Sequence, residues 1–251
     1  MPNVAIVDFT TYAESIRSAF DSVNGADILT RFDHILLKPN LVNASPFPIT
    51  THPNFVEAVI EVVREHTDAP IVVAEGCGSE VMDTDEVFSE LGYTAMAERA
   101  GVELLDLNHA SLIKRSIPDR PVFPEMWLPE IAFTHCIISL PVIKAHSLAG
   151  TTGTLKNMMG FAPPEHYQGD GPWKKSSFHA RMQDSVRDLN AYISPHLTIM
   201  DATVGMAEYH LGGPECDPPI GKILAGTDGL ALDREAATLL GIDWQQIGHL
   251  S

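Results

Sequence analysis

The amino-acid sequence predicts an α/β protein built on a mostly parallel sheet with helices on both faces. Three observations carry that prediction. Short apolar runs of strand type, "NVAIVDF", "HILLKPN", "IVVAEGCG" and "CIISLPVIKAH", recur along the chain. Amphipathic stretches with helical spacing separate them. The strand-type runs are apolar at successive positions rather than alternate ones, which is what a sheet covered on both faces requires.

The elements follow in order. Residues 3–9 form the first strand, and Ile16, Ala19, Phe20 and Val23 give a helix over residues 12–23. Residues 34–40 read as a buried strand that Pro39 stops. "THPNFVEAVIEVVREH" then places Pro53 near the start of a helix, after a Thr cap. A strand over 71–78 ends in a glycine turn, a helix spans 83–100, and 102–108 is the next strand. The Pro-rich stretch 117–130 carries no clear period. Residues 136–146 have strand composition, and Phe178, Met182, Val186, Leu189 and Ile193 make one apolar helical stripe. "LTIMDATVGM", "GKILAGTD" and a helix over 229–240 close the pattern. Residues 161–177, "FAPPEHYQGDGPWKKSS", read as a loop or lid, because strand and helix alternation resumes beyond them. The whole, residues 1–251, is expected to form a single α/β domain, and its 45% hydrophobic content is enough for a large core.

Composition narrows the function. The formal net charge is -17, from 33 acidic against 16 basic residues, and this field disfavours nucleic acid and anionic membrane surfaces as partners. No apolar run of membrane-spanning length occurs and the N-terminus lacks a signal pattern, so the expected location is the cytoplasm. The three cysteines, Cys77, Cys136 and Cys216, are far apart, which argues against a disulfide framework and against an iron-sulfur cluster held by this chain alone.

Against that acidity, the placement of the cations is informative. In an open parallel sheet, ligands bind beyond the carboxyl ends of the strands. The expected strand ends carry Lys38 and Asn40, Glu75 and Cys77, Lys144 and His146, Asp201, and Thr227 with Asp228. Lys38, Lys144 and Lys156, three of only seven lysines, lie at or just past such ends. Gly150, Thr151, Thr152 and Gly153 read as a small-residue loop whose N–H groups and hydroxyls cradle an oxyanion, ahead of a helix starting near Thr154. The spacing matches neither a P-loop nor a dinucleotide fingerprint. Lys38, Asn40, Lys144, Gly150, Thr151, Thr152, Gly153 and Asp201 are therefore the candidate ligand-binding residues, for a small anionic ligand, carboxylate or phosphate. His146 is the candidate acid/base, with an ordinary pKa of about 6.5. A divalent metal held by His52, Glu75, Cys77, His146 and Asp201 is a further candidate, for zinc, iron or nickel. His34, His66, His109, His135, His196 and His249 read as surface or core residues, and Met158 and Met159 as packing residues.

"ILLKPNLV", "TTHP", "ISLPVIKAHSLAGTTGTLKNMMG", "IMDATVGM" and "ILAGTDGLALDREAATLLGID", in this order, resemble the domain-of-unknown-function 362 family. Many members of that family carry an added iron-sulfur module, so the resemblance implies a ferredoxin-like redox partner as one mode of action. This chain lacks the C-x-x-C-x-x-C run of those members, so no cluster is expected from it. Family members often continue past the equivalent of "GIDWQQIGHLS", so the C-terminal edge is expected to be trimmed. The segment "HSLAGTTGTLK" is also similar to the lactate racemase family, where a histidine is the acid/base and a lysine ten residues on anchors a nickel-pincer nucleotide. That resemblance implies catalytic roles for His146 and Lys156. Two classes of function stand side by side: an acid/base or metal-assisted enzyme on a small anion, and a non-catalytic binding or docking module.

Overall fold

The structure, a computed structural model, describes residues 3–251. Eleven strands are present among them: β1 (Val4–Asp8), β2 (Ile35–Pro39), β3 (Ile71–Glu75), β4 (Glu103–Asp106), β5 (Leu112–Ser116), β6 (Glu125–Pro129), β7 (Cys136–Leu140), β8 (Val142–His146), β9 (Gly150–Thr152), β10 (Leu197–Met206) and β11 (Lys222–Gly226). The helices are α1 (Tyr12–Ser22), α2 (Gly25–Leu29), α3 (Pro53–Arg64), α4 (Thr84–Glu90), α5 (Tyr93–Ala100), α6 (Thr154–Asn157), α7 (Pro164–Tyr167), α8 (Met182–Tyr192) and α9 (Gly229–Leu239).

One sheet of nine strands runs β1-β11-β10-β7-β2-β3-β4, with β8 added beside β10 and β9 beside β8. The contacts β10–β7, β7–β2, β2–β3, β3–β4 and β10–β8 are parallel, and β1–β11, β10–β11 and β8–β9 are antiparallel. The largely parallel sheet matches the sequence expectation, and its antiparallel part is confined to the side of β1, β11 and β9. Helices cover both faces. On one, Ile35, Leu37, Val73, Ile138 and Ile199 pack with Phe20 of α1, Phe55, Val59 and Val63 of α3, and Tyr93 of α5. On the other, Leu36, Val72, Ala74 and Ile137 meet Met182, Val186 and Leu189 of α8, while Met200 and Leu224 meet Leu232 and Ala236 of α9. Successive strand residues thus enter opposite cores, which is why the strands read as unbroken apolar runs.

Several local expectations differ from the structure. The run over 136–146 is two strands, because Pro141 interrupts it: β7 lies between β10 and β2, whereas β8 leaves to pair with the far part of β10. The helix over 83–100 is broken at Gly92, whose φ of 80° lies in the left-handed region. Helix α3 is capped by His52, whose Nδ1 accepts from the Asn54 N–H at 3.1 Å, and not by the threonine before it. The unpatterned stretch contains β6, paired with β5 as a separate two-stranded sheet. The segment over 161–177 is less open than a lid: it includes α7, and Phe161, Ala162, Tyr167 and Lys175 are buried.

Candidate functional site

Parallel strands β2, β3 and β8 end on the same side of the sheet, and a cavity of about 270 Å³ opens there. Lys38, Asn40, Glu75, Lys144, His146, Thr152 and Lys156 line it, so seven of the sequence-derived site residues come together. Lys175, His179 and His210 also line it, together with Asn157, Gly160 and Trp173.

A buried ion pair forms the floor. Lys38 Nζ donates to Glu75 Oε1 at 2.7 Å, to the Pro39 carbonyl at 3.0 Å and to Asn157 Oδ1 at 3.3 Å. The Glu75 carboxylate also accepts from the Leu41 and Gly76 N–H groups, at 2.9 and 2.8 Å. Asn157 Nδ2 ties the lysine strand to its neighbour by donating to the Lys38 carbonyl and to Ser139 Oγ. Gly160 packs over this pair, and a Cβ there would collide with the Glu75 carboxylate and the Lys38 ammonium. Burial lowers the Lys38 pKa, and the Glu75 charge opposes that shift.

Three further lysines have no carboxylate partner in the cavity. Lys144 donates to Asn40 Oδ1 at 2.8 Å and to the Ile49 carbonyl, both neutral acceptors. Burial and the nearby Lys156 bring its pKa down to about 7. Lys175 donates to Asn108 Oδ1 and the Ala162 carbonyl, and burial brings it down to about 7 as well, against the opposing pull of Glu75. Lys156, half-buried, makes no hydrogen bond or ion pair among the described residues, and burial plus the Lys38 charge bring it down to about 8. An amine taken out of water without an anion beside it holds its proton weakly.

His146 does not behave as the near-neutral acid/base that its ordinary pKa suggests. Burial first, then the charge of Lys156, pushes it far below the usual histidine value. Its Nδ1 accepts from the Leu148 and Ala149 N–H groups, at 3.1 and 3.2 Å, which leaves the single ring proton on Nε2. His210 stacks on it with ring centroids 3.8 Å apart and is lowered to about 3 by burial, Lys156 and Lys144. His179 is lowered by burial and then by Lys156. Near neutral pH the three imidazoles are therefore uncharged, and His146 offers a donor rather than a base.

The glycine-threonine stretch is placed differently from expectation. Gly150–Thr152 is strand β9, paired with β8, so it is not a loop. Gly150 packs against Ile247, and Thr151 does not line the cavity. The N–H groups at the start of α6, just beyond this stretch, are already filled: Asp233 of α9 accepts from Thr154 N at 2.6 Å and Leu155 N at 2.9 Å. A Cβ on Gly153 would run into that carboxylate, so this glycine serves an internal contact. Burial raises Asp233 to about 6. Thr152 alone of the four lines the cavity, and its buried hydroxyl has no partner among the described residues.

The metal set is not assembled. Among the described residues no group of three or more His, Cys, Asp or Glu side chains is placed to hold an ion. His52 is engaged as the α3 cap, and Cys77 lies outside the cavity, where its thiol bonds the Met82 carbonyl and burial raises its pKa. Asp201 is not at a strand end, since β10 continues to Met206; its carboxylate is held by Tyr12 Oη at 2.8 Å and by Thr203. Thr227 and Asp228 follow β11, which runs antiparallel to β10, and so lie at the opposite end of the sheet, where Asp228 caps α9.

Sequence reasoning missed Lys175, His179 and His210 as cavity residues. Lys175 sits in a Pro/Gly-rich segment with no spacing relation to the other lysines. His210 had a usable signal: "TVGM" after Asp201 is strand-like, and extending the strand through it puts the next turn, with Tyr209 and His210, at the cavity mouth.

A family model described as domain of unknown function (DUF362) matches residues 35–238. The chain belongs to the DUF362 family. Every strand of the cavity floor, β2, β3 and β8, lies inside that matched span, as do all four cavity lysines. No curated protein matches the chain. No helix among the described residues is long and apolar enough to cross a membrane.

Proposed function

We propose that this DUF362 protein binds a small anionic ligand, carboxylate or phosphate, in the cavity at the carboxyl ends of β2, β3 and β8. One observation carries the reading: four lysines line the cavity against a single carboxylate, in a chain whose net charge is -17. Lys38 and Glu75 neutralise each other and act as scaffold. Lys144, Lys156 and Lys175 supply the uncompensated charge, and the Thr152 hydroxyl and His146 Nε2–H supply neutral donors. An anion beside ammonium groups that are themselves largely buried interacts with each more strongly than it would in water.

The same arrangement suits acid/base chemistry, with a lysine rather than the histidine as the proton carrier. Lys144, Lys156 and Lys175 hold protons with pKa near 7 to 8, so each can give or take one near neutrality.

Titration calorimetry with inorganic phosphate and with a panel of mono- and dicarboxylates tests the binding reading. Saturable binding that Lys144→Met and Lys175→Met each weaken, with both variants retaining the wild-type circular dichroism spectrum, is the expected result. A wild-type protein that binds none of these anions at millimolar concentration overturns it.

A further inference from the structure

We propose that Lys156 is an imine-forming nucleophile, which takes up a small carbonyl compound bearing a carboxylate next to its carbonyl. The inference rests on the anion-site reading above and names the ligand class for it.

The four cavity lysines are not equivalent. Lys38, Lys144 and Lys175 are each held by fixed acceptors: a carboxylate and two carbonyl-type oxygens for Lys38, an amide oxygen and a backbone carbonyl for each of the others. Among the described residues Lys156 alone of the four has no acceptor, so its nitrogen is free to approach a bound molecule. It lines the same cavity as Lys144, Lys175, His146, His179 and His210. A lysine desolvated beside other cations loses its proton readily, and the free amine is the nucleophilic form. With its pKa near 8, a sizeable fraction of Lys156 is unprotonated at pH 7.5. A bound carboxylate favours the charged forms of Lys144 and Lys175, which line the same cavity and hold it there for the amine to reach the adjoining carbonyl.

The step balances without an oxidant. The neutral Lys156 amine attacks the carbonyl carbon, a C–N bond forms, and the proton moves from nitrogen to oxygen to give a carbinolamine. A neighbouring protonated lysine then donates a proton to that hydroxyl. It departs as water, the C–O bond breaks, and a protonated imine on Lys156 remains.

Pyruvate is the probe, with cyanoborohydride to reduce and fix any imine and peptide mass mapping to locate it on the wild-type chain. Lys156 is expected to label about a hundredfold faster than the exposed Lys114 at pH 7.5, since a pKa near 8 leaves about a quarter of the amine neutral, against about a thousandth for an ordinary lysine. Acetone, which lacks the carboxylate, is expected to label it more slowly, and added inorganic phosphate to slow the pyruvate reaction. Lys156→Arg is expected to remove the label while the protein keeps the wild-type circular dichroism spectrum. Label distributed over the lysines according to exposure overturns the inference, as does saturable phosphate binding with no label on Lys156, which leaves the anion site standing. Absence of both binding and label overturns the two readings together.

Discussion

Replacing Glu75 by Gln removes one charge and little volume, and it strands the Lys38 ammonium in the floor of the cavity. Breaking a buried pair from one side costs about 3–5 kcal/mol. The structure sets an upper limit from a second direction, because Lys38 can escape by losing its proton. Shedding a proton from an amine of ordinary pKa, about 10.4, costs about 4.6 kcal/mol at pH 7 and about 1.9 kcal/mol at pH 9. A further cost of about 1 kcal/mol, independent of pH, comes from the Leu41 and Gly76 N–H groups, which both bond the carboxylate and would compete for one amide oxygen. The variant is therefore expected to be about 3–5 kcal/mol less stable than wild type at pH 7, roughly 10 °C in Tm for a chain of this size. The deficit then shrinks as pH rises. The sign follows from linkage: in the variant the folded state holds fewer protons than the unfolded state, so its stability climbs with pH. Loss of Glu75 also withdraws its support from Lys156 and Lys175, which tilts the slope the same way. Urea unfolding at pH 7, 8 and 9 measures it, and Lys38→Met combined with Glu75→Gln should recover part of the loss. A deficit below about 1 kcal/mol at pH 7, or one that stays constant to pH 9, refutes an ion-paired Lys38.

Four other outcomes follow from the same structure. Phosphate binding should take up protons near pH 7.5 and weaken as pH rises to 9, because Lys144 and Lys175 (pKa about 7) and Lys156 (about 8) must be charged to bind, while His146, His179 and His210 stay neutral and Lys38 stays paired; calorimetry in buffers of different ionisation enthalpy reads the proton count directly. In the ligand-free protein the folded pKa values of these lysines lie below the unfolded value, so their destabilising effect is full below pH 7 and fades above it; a Tm contribution that Lys144→Met and Lys175→Met fail to flatten between pH 7 and 9 would contradict this. Asp233→Ala should cost about 2–4 kcal/mol in chemical denaturation, for two buried N–H groups left unpaired at the start of α6. By NMR, His146 should carry its proton on Nε2, and neither it nor His210 should titrate between pH 5 and 8; a midpoint inside that range for His146 restores it as a neutral-pH base.

What the sequence disclosed depended on how local the physics is. The strands β2, β3 and β7 were legible because burial on both faces leaves unbroken apolar runs, and Lys38, Asn40, Lys144 and His146 were legible because a parallel strand must present its last residues at one end of the sheet. Direction and extent of the later strands were not. Asp228 looks like a strand-end carboxylate until β11 is known to run antiparallel, and Asp201 looks like one until β10 is known to continue past it. The glycine-threonine segment misled for a different reason. It forms strand β9 instead of a loop, and the N–H groups just beyond it, of Thr154 and Leu155, meet the chain's own Asp233, about eighty residues away, a long-range partner that no spacing rule reveals. His146 was found by position and mistaken in protonation, since its tautomer is set by two backbone N–H groups and its pKa by burial and then by a lysine.

The acceptors chosen for the cavity lysines explain how an acidic chain keeps a cationic pocket. A carboxylate placed beside Lys144 or Lys175 would hold the side chain in position and cancel its charge at once. Asn40 and Asn108 side-chain oxygens and the Ile49 and Ala162 carbonyls fix the position of the nitrogen but contribute only dipoles. The charge remains available, at the cost of a weakened hold on the proton. Glu75, the one carboxylate present, is spent on Lys38 and on two backbone N–H groups, and Gly160 seals the pair from the side. Surface acids do not substitute for it, because charges in water are screened within about 10 Å at 0.1 M salt, whereas groups inside the cavity interact through a poorly screening medium. Net charge and site charge can therefore have opposite signs in one chain, and on this reading the missing counter-charge is the ligand's.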